Sequence, residues 1–160
     1  MNMPQCASDL LAYLAGSWTF TRQMQSLDGA SIGKAQGQAQ FDLATAAATL
    51  HYHETGQLQL QAEARAISFS RRFDYQLQDD LWQVSFADGP QAGQAYQRYR
   101  YDAGQRALLP EEIHVCLQDH YDGSYRLLDE ACFTLQTRIE GPHKAYLLLS
   151  RFNRAQATLR

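Results

Sequence analysis

The sequence predicts a mostly β chain closed into an antiparallel up-and-down barrel of about eight to ten strands, behind one short N-terminal helix. Three observations predict it. Apolar residues alternate with period two along most of the chain, turn residues punctuate those runs, and only one stretch has helical spacing. Closure is expected because a sheet of so many serial strands would otherwise expose two long edges.

Ser8 is placed to cap a helix over 9–15, with Asp9 in its first turn and Gly16 just past its end. Leu10, Leu11 and Leu14 give that helix one apolar stripe. From Gly16 the period changes to two. Trp18, Phe20, Arg22 and Met24 share one strand face, with Thr19, Thr21 and Gln23 on the other. Asp28-Gly29 marks a hairpin. Ala35, Gly37, Ala39, Phe41 and Leu43 follow, with glycines suited to a sharp bend. The Ala-rich stretch 44–48 is long enough for one turn. Beyond it Leu50, Tyr52, Glu54, Leu58 and Leu60 alternate, then Ile67, Phe69, Arg71, Phe73 and Tyr75, then Trp82, Val84 and Phe86. Asp88-Gly89-Pro90 makes a turn. Strands are expected over 96–101 and 113–117, and around Tyr125, Leu127, Phe133, Leu135 and Ile139. Gly141-Pro142 makes the last turn, and 145–153 the last strand.

The 160 residues fit one domain, 1–160, with 1–7 expected as a loose end. A chain of this length buries roughly 70% of its unfolded surface, so its core needs no disulfide or metal. Nine Tyr, seven Phe and two Trp favour strands and pocket walls. The net charge of -3 and the lack of a basic run argue against a nucleic-acid partner. The closest basic cluster, Arg98 and Arg100 among Tyr96, Tyr99 and Tyr101, is either a stacking platform or an amphipathic strand. Twelve arginines against two lysines suit fixed contacts to carboxylates, although genome composition explains the same skew. No segment approaches the length of a membrane span, so no membrane partner is expected. Cys6, Cys116 and Cys132 are an odd number of cysteines without a secretion signal, which makes the cytoplasm the expected compartment.

The helix followed by Gly16-Ser17-Trp18 resembles the opening of lipocalins and other calycins. In that superfamily the Trp starts the first strand and closes one barrel end beneath an Arg or Lys from the last strand. The resemblance implies that role for Arg151 or Arg154, with Arg151 favoured. A wider resemblance is to a bacterial family of lipocalin-like domains of unknown function. It rests on Gly16-Ser17-Trp18 with Arg22, Tyr52-x-Glu54-x-Gly56 and Arg71-x-Phe73-x-Tyr75. His114-x-Cys116-x-x-Asp119-x-Tyr121 and Gly141-Pro142-x-Lys144-x-Tyr146 complete it. It implies a calycin-type barrel and no activity, because fold does not supply function.

Charged residues in phase with apolar ones point to the site. Arg22 shares its face with Trp18 and Phe20, Glu54 with Leu50 and Tyr52, and Arg71 with Phe69, Phe73 and Tyr75. Buried charges need partners. Either Arg22 and Arg71 grip an acidic ligand, or an internal Arg–Glu network satisfies itself. His114 and Cys116 share a strand face, with Asp119 and Tyr121 beyond a bend. Their side chains, roughly 6–7 Å apart on a strand, are too distant for a direct thiol–imidazole hydrogen bond. His114 with Asp119 suits general acid–base work, pocket binding or a satisfied core histidine. If that pair points inward, Ile113, Val115 and Leu117 point outward and need a cover such as a second subunit. Lys144 begins the last strand and reaches a ligand at the rim or only solvent. His51 and His53 share a face that Glu54 does not, so a metal set is not required.

The leading expectation is a module binding a small amphipathic or acidic molecule, with Arg22, Glu54, Arg71, Tyr75, His114, Cys116, Asp119, Tyr121 and Lys144 as ligand residues. No metal or cofactor is assigned. A homodimeric structural barrel and an enzyme using His114 and Asp119 are the alternatives.

Overall fold

The computed structural model describes residues 2–116 and 118–156. A 3-10 turn over Ala7–Asp9 leads into helix α1, Leu10–Leu14. Eleven strands follow: β1 Gly16–Ser26, β2 Ser31–Leu43, β3 Thr49–Leu60, β4 Ile67–Gln78, β5 Leu81–Phe86, β6 Ala95–Asp102, β7 Ala107–Pro110, β8 His114–Cys116, β9 Asp119–Asp129, β10 Cys132–Glu140 and β11 Ala145–Arg154. Each long strand pairs antiparallel with its sequence neighbour, and β1 pairs with β11 to close the ring. Ten strands form the barrel, and β8 is an extra strand attached to the start of β9. No helix among the described residues is long and apolar enough to cross a membrane.

The helix is shorter than its spacing predicts. Ser8 caps nothing: its hydroxyl lies 3.1 Å from the Cys6 thiol, and the Asp9 carboxylate instead accepts the Gln5 N–H at 2.9 Å. Residues 2–7 are not a loose end. Pro4 and Ala7 are buried, the Tyr101 hydroxyl donates to the Pro4 carbonyl at 2.9 Å, and the Trp82 indole donates to the Ala7 carbonyl at 2.9 Å. Strand β7 had no period-two signal, because it is four residues long with adjacent leucines. The expected strand over 113–117 covers only His114–Cys116, and Leu117 lies outside the described residues.

The core fills the helix end of the barrel. Trp18 meets Phe133 edge-on at 4.7 Å, and Phe133 stacks on Phe152 at 4.5 Å. Gly37 and Gly56 face each other on β2 and β3, between Phe20 on β1 and Phe69 on β4. A Cβ on Gly37 would collide with the Thr55 carbonyl, and one on Gly56 with the Gln36 carbonyl. The missing side chains let the strands bend hard, and the two phenyl rings fill the space over the glycines.

The cation over Trp18 is Arg154, not Arg151. Strand parity decides it: Arg154 pairs with Trp18 and shares the inward face of Phe152, while Arg151 points to solvent. The Arg154 guanidinium lies 4.2 Å from the Trp18 ring centre. It donates to the carbonyls of Tyr13 at 2.6 Å, Ala15 at 3.2 Å and Glu130 at 3.4 Å. The indole N–H donates to the Leu14 carbonyl at 2.8 Å. Arg154→Ala should therefore cost about 1.5–3 kcal/mol, the range of hydrogen bonds from a charged donor. Arg151→Ala should stay within about 0.5 kcal/mol, as exposed substitutions do. Denaturant midpoints of the two variants check the contrast.

Candidate functional site

Away from the helix end, the barrel encloses a cavity of about 80 Å³. That is room for several waters. Its wall is aromatic, with Phe41, Tyr52, Phe73, Tyr75, Tyr96, Tyr99, Tyr121 and Tyr125, and Arg22, Glu54 and Arg71 also line it. The first charged pair is satisfied internally. Strand β2 presents only Ala35, Gly37 and Ala39 inward here, so the Arg22 side chain passes over it from β1 to Glu54 on β3. The contact is bidentate, at 2.8 and 3.1 Å. Arg22 Nε donates to the Ser150 hydroxyl at 2.7 Å, and the Tyr52 hydroxyl donates to Glu54 at 2.6 Å. Burial alone would raise the Glu54 carboxyl, but the hydrogen bonds and charge of Arg22, with the charge of Arg71, outweigh it and hold the pKa below its ordinary value. Burial and the neighbouring carboxylate push the Tyr52 phenol well up.

Arg71 differs. It sits beside Glu54 across the β3–β4 ladder, but Arg22 has taken both carboxylate oxygens. Its guanidinium lies 4.9 Å from the Phe73 ring centre and makes no hydrogen bond or ion pair among the described residues. Tyr75 is tied to Tyr125 by a hydroxyl–hydroxyl bond of 2.7 Å. The Tyr96 phenol, buried next to Arg71, is pushed up by that burial to about 12 and so stays a neutral hydroxyl.

The second cluster stands at the rim. His114 and Tyr121 are cross-strand partners of the β8–β9 hairpin. The imidazole packs edge-on against Tyr96 at 5.1 Å and Tyr121 at 5.7 Å, and tilted against Phe86 at 6.3 Å. Its Nε2 is buried without a hydrogen-bond partner, and burial lowers its pKa. His114 therefore faces inward, and Ile113 and Val115 face solvent. The Lys144 ammonium donates to the Tyr121 hydroxyl at 3.1 Å.

Several expected partnerships do not form. Asp119 is not paired with His114; it is buried at the hairpin end, where its carboxylate accepts the His143 backbone N–H at 2.9 Å and faces the His143 ring at 3.5 Å. The acid–base pair is therefore not assembled, and His114 is not a core histidine satisfied by Asp119. The Cys116 thiol accepts from Gln91 at 3.4 Å and stands outside the cavity. Arg98 and Arg100 pair with Glu112 and Glu111 on the outer face while Tyr99 is buried inside, so this cluster is not a stacking platform. His51 pairs with Asp74 at 2.7 Å on the surface. No three His, Cys, Asp or Glu side chains converge on a metal position among the described residues. Ser150 and Tyr96 also belong to the site, and the sequence does not mark them as such. Strand pairing places Ser150 opposite Arg22, and no local pattern announces that.

Residues 14–154 match DUF6314, a family of unknown function. The chain belongs to that family. No curated protein matches the sequence. Among solved structures, the S-type phycobiliprotein lyase CPES from Guillardia theta is similar over 96% of this chain and 95% of its own, at 8% identity and a TM-score of 0.68. Rv2717c from M. tuberculosis is similar over 97% of this chain and 100% of its own, at 12% identity and a TM-score of 0.62. A fluorescence-activating β barrel designed de novo is similar over 92% of this chain and 98% of its own, at 11% identity and a TM-score of 0.50. At such identities these likenesses establish the calycin-like barrel fold alone.

The buried ion pair has a pH signature. The Glu54 pKa is below 4.5 in the fold, so the unfolded chain takes up the proton first as pH falls. The stabilisation is full above about 4.5 and is lost as pH drops through the folded value. Urea melts should show that acid loss in the wild type and less of it in an Arg22→Met, Glu54→Leu double variant. Glu54→Ala alone, which strands Arg22, should cost about 3–5 kcal/mol at neutral pH.

Proposed function

We propose that this protein is a binding module for a small amphipathic molecule with an acidic group, held in the barrel. One observation carries the reading. The cavity wall is aromatic, and Arg71 is its one guanidinium that makes no hydrogen bond or ion pair among the described residues. A half-buried cation beside tyrosine hydroxyls is a receptor for a carboxylate or similar anion, since Arg makes charge-assisted, bidentate bonds to such groups. Arg71 is the anchor in this reading, with Tyr121, Lys144 and His114 around the rim. Arg22, Glu54 and Tyr75 are wall residues whose polar groups are already engaged. Cys116 and Asp119 shape the hairpin that carries His114. The similarity in fold to a phycobiliprotein lyase and to a designed fluorescence-activating barrel fits such a use of the interior. Three free thiols fit a reducing compartment, and the reading places the protein in the cytoplasm.

Titration with a fluorescent anionic amphipath, 1-anilinonaphthalene-8-sulfonate, tests the anchor. Arg71→Gln should weaken binding about tenfold, or about 1.4 kcal/mol, while leaving the melting temperature nearly unchanged. Equal affinity in both proteins would remove Arg71 from the site.

A second reading, a homodimer, is favoured by Ile113 and Val115, which are 50% and 54% exposed side by side on the rim. Sedimentation velocity should then show a dimer that Val115→Glu dissociates. A monomer at high concentration would reject it.

A further inference from the structure

The cavity of about 80 Å³ is well below the roughly 300–1,000 Å³ of sites that enclose a drug-sized ligand. A second hollow of about 490 Å³ lies just outside it, between β6 and β8. Strand pairing explains the hollow. Strand β6 pairs with β7 only from Tyr99 onward, and β8 pairs with β9 alone. The last backbone rung is Glu111 N–H to the Arg98 carbonyl at 2.9 Å. Past it the seam is bridged by side chains: Gln97 donates to the Glu112 carbonyl, and Gln91 to Cys116 at 3.4 Å.

The layer between the two volumes is a pair of rings. Tyr96 lines both the inner cavity and the outer hollow, and His114 lines the outer one and leans edge-on against it. The Tyr96 hydroxyl makes no hydrogen bond among the described residues, and His114 Nε2 is buried without a partner. Buried polar atoms in folded proteins are nearly always paired. An unpaired one in a thin partition points to a partner that arrives from outside the chain.

We propose that Tyr96 and His114 form a side-chain door, and that an elongated acidic ligand turns it aside and occupies cavity and hollow together. Its acid meets Arg71, and a hydrogen-bonding group at its far end gives His114 Nε2 its partner. The turn is made by side-chain torsions of Tyr96 and His114, worked against the packing of Phe73, Phe86 and Tyr121. The inference rests on the binding reading above and specifies the ligand as elongated and polar at both ends.

Two dansyl probes test it by stopped-flow fluorescence: 11-(dansylamino)undecanoic acid, which has an acid and a distant sulfonamide, and the short dansylglycine. The long probe should bind wild type about tenfold more tightly than the short one. His114→Phe keeps a ring but removes Nε2, and should weaken the long probe about fivefold. Ala95→Glu, on the exposed lip of the hollow, should slow association of the long probe by about tenfold through bulk and like charge. If the long probe binds in an Arg71-dependent way but neither variant alters its rate or affinity beyond about twofold, the door is wrong and the binding reading stands. If neither probe binds wild type at all, both are overturned.

Discussion

Arg22 and Glu54 are almost fully shielded from bulk water inside the barrel, and charges so placed need partners. The bidentate Arg22–Glu54 contact meets that requirement, and much of the interior is arranged around it. Strand β2 keeps its inward positions small so that the arginine can cross to β3. Tyr52 and Ser150 fill the remaining hydrogen-bonding capacity of the pair. The arrangement also leaves Arg71 without an ion-pair contact among the described residues, although it stands directly beside the same glutamate. Buried ion pairs contribute little net stability compared with apolar packing of the same volume.

The two ends of the barrel are built on opposite principles. At the helix end every strong donor is consumed: the Trp18 indole, the Tyr13 hydroxyl and the Arg154 guanidinium all donate to backbone carbonyls. At the other end polar groups are left without a hydrogen bond among the described residues: the Arg71 guanidinium, the Tyr96 hydroxyl and Nε2 of His114. Stapling one end allows the other to carry unpaired polar groups without loosening the whole.

Much of the fold was legible because a half-buried strand writes its facing into every second residue. Trp18, Phe20 and Arg22, or Arg71, Phe73 and Tyr75, reveal the inward side without any knowledge of neighbours. The same parity distinguishes Arg154 from Arg151, since Phe152 must be inside. Register is another matter. Arg22 and Arg71 look equivalent along the chain, and strand pairing even sets Arg71 directly opposite Glu54; only the side-chain contacts across β2 show that Arg22 holds both carboxylate oxygens. The β8–β9 hairpin is similar: His114, Cys116, Asp119 and Tyr121 share a face, but the turn sets His114 opposite Tyr121 and carries Asp119 to the far end. Strand β7, too short to show alternation, and the docking of residues 2–7 against Trp82 and Tyr101 depend on contacts far apart in sequence and leave no local trace.

The seal over Trp18 has a consequence for how the chain acquires its shape. The indole belongs to the first strand and the guanidinium that covers it to the end of the last, and the same β1–β11 pairing closes the ring. During synthesis the intervening strands can add one to the next as they emerge, each beside its predecessor. The base nevertheless stays open, with Trp18 uncovered, until β11 has left the ribosome. Closure is the most distant contact in the sequence and the slowest to find, so the nascent sheet passes through a stage with two free edges.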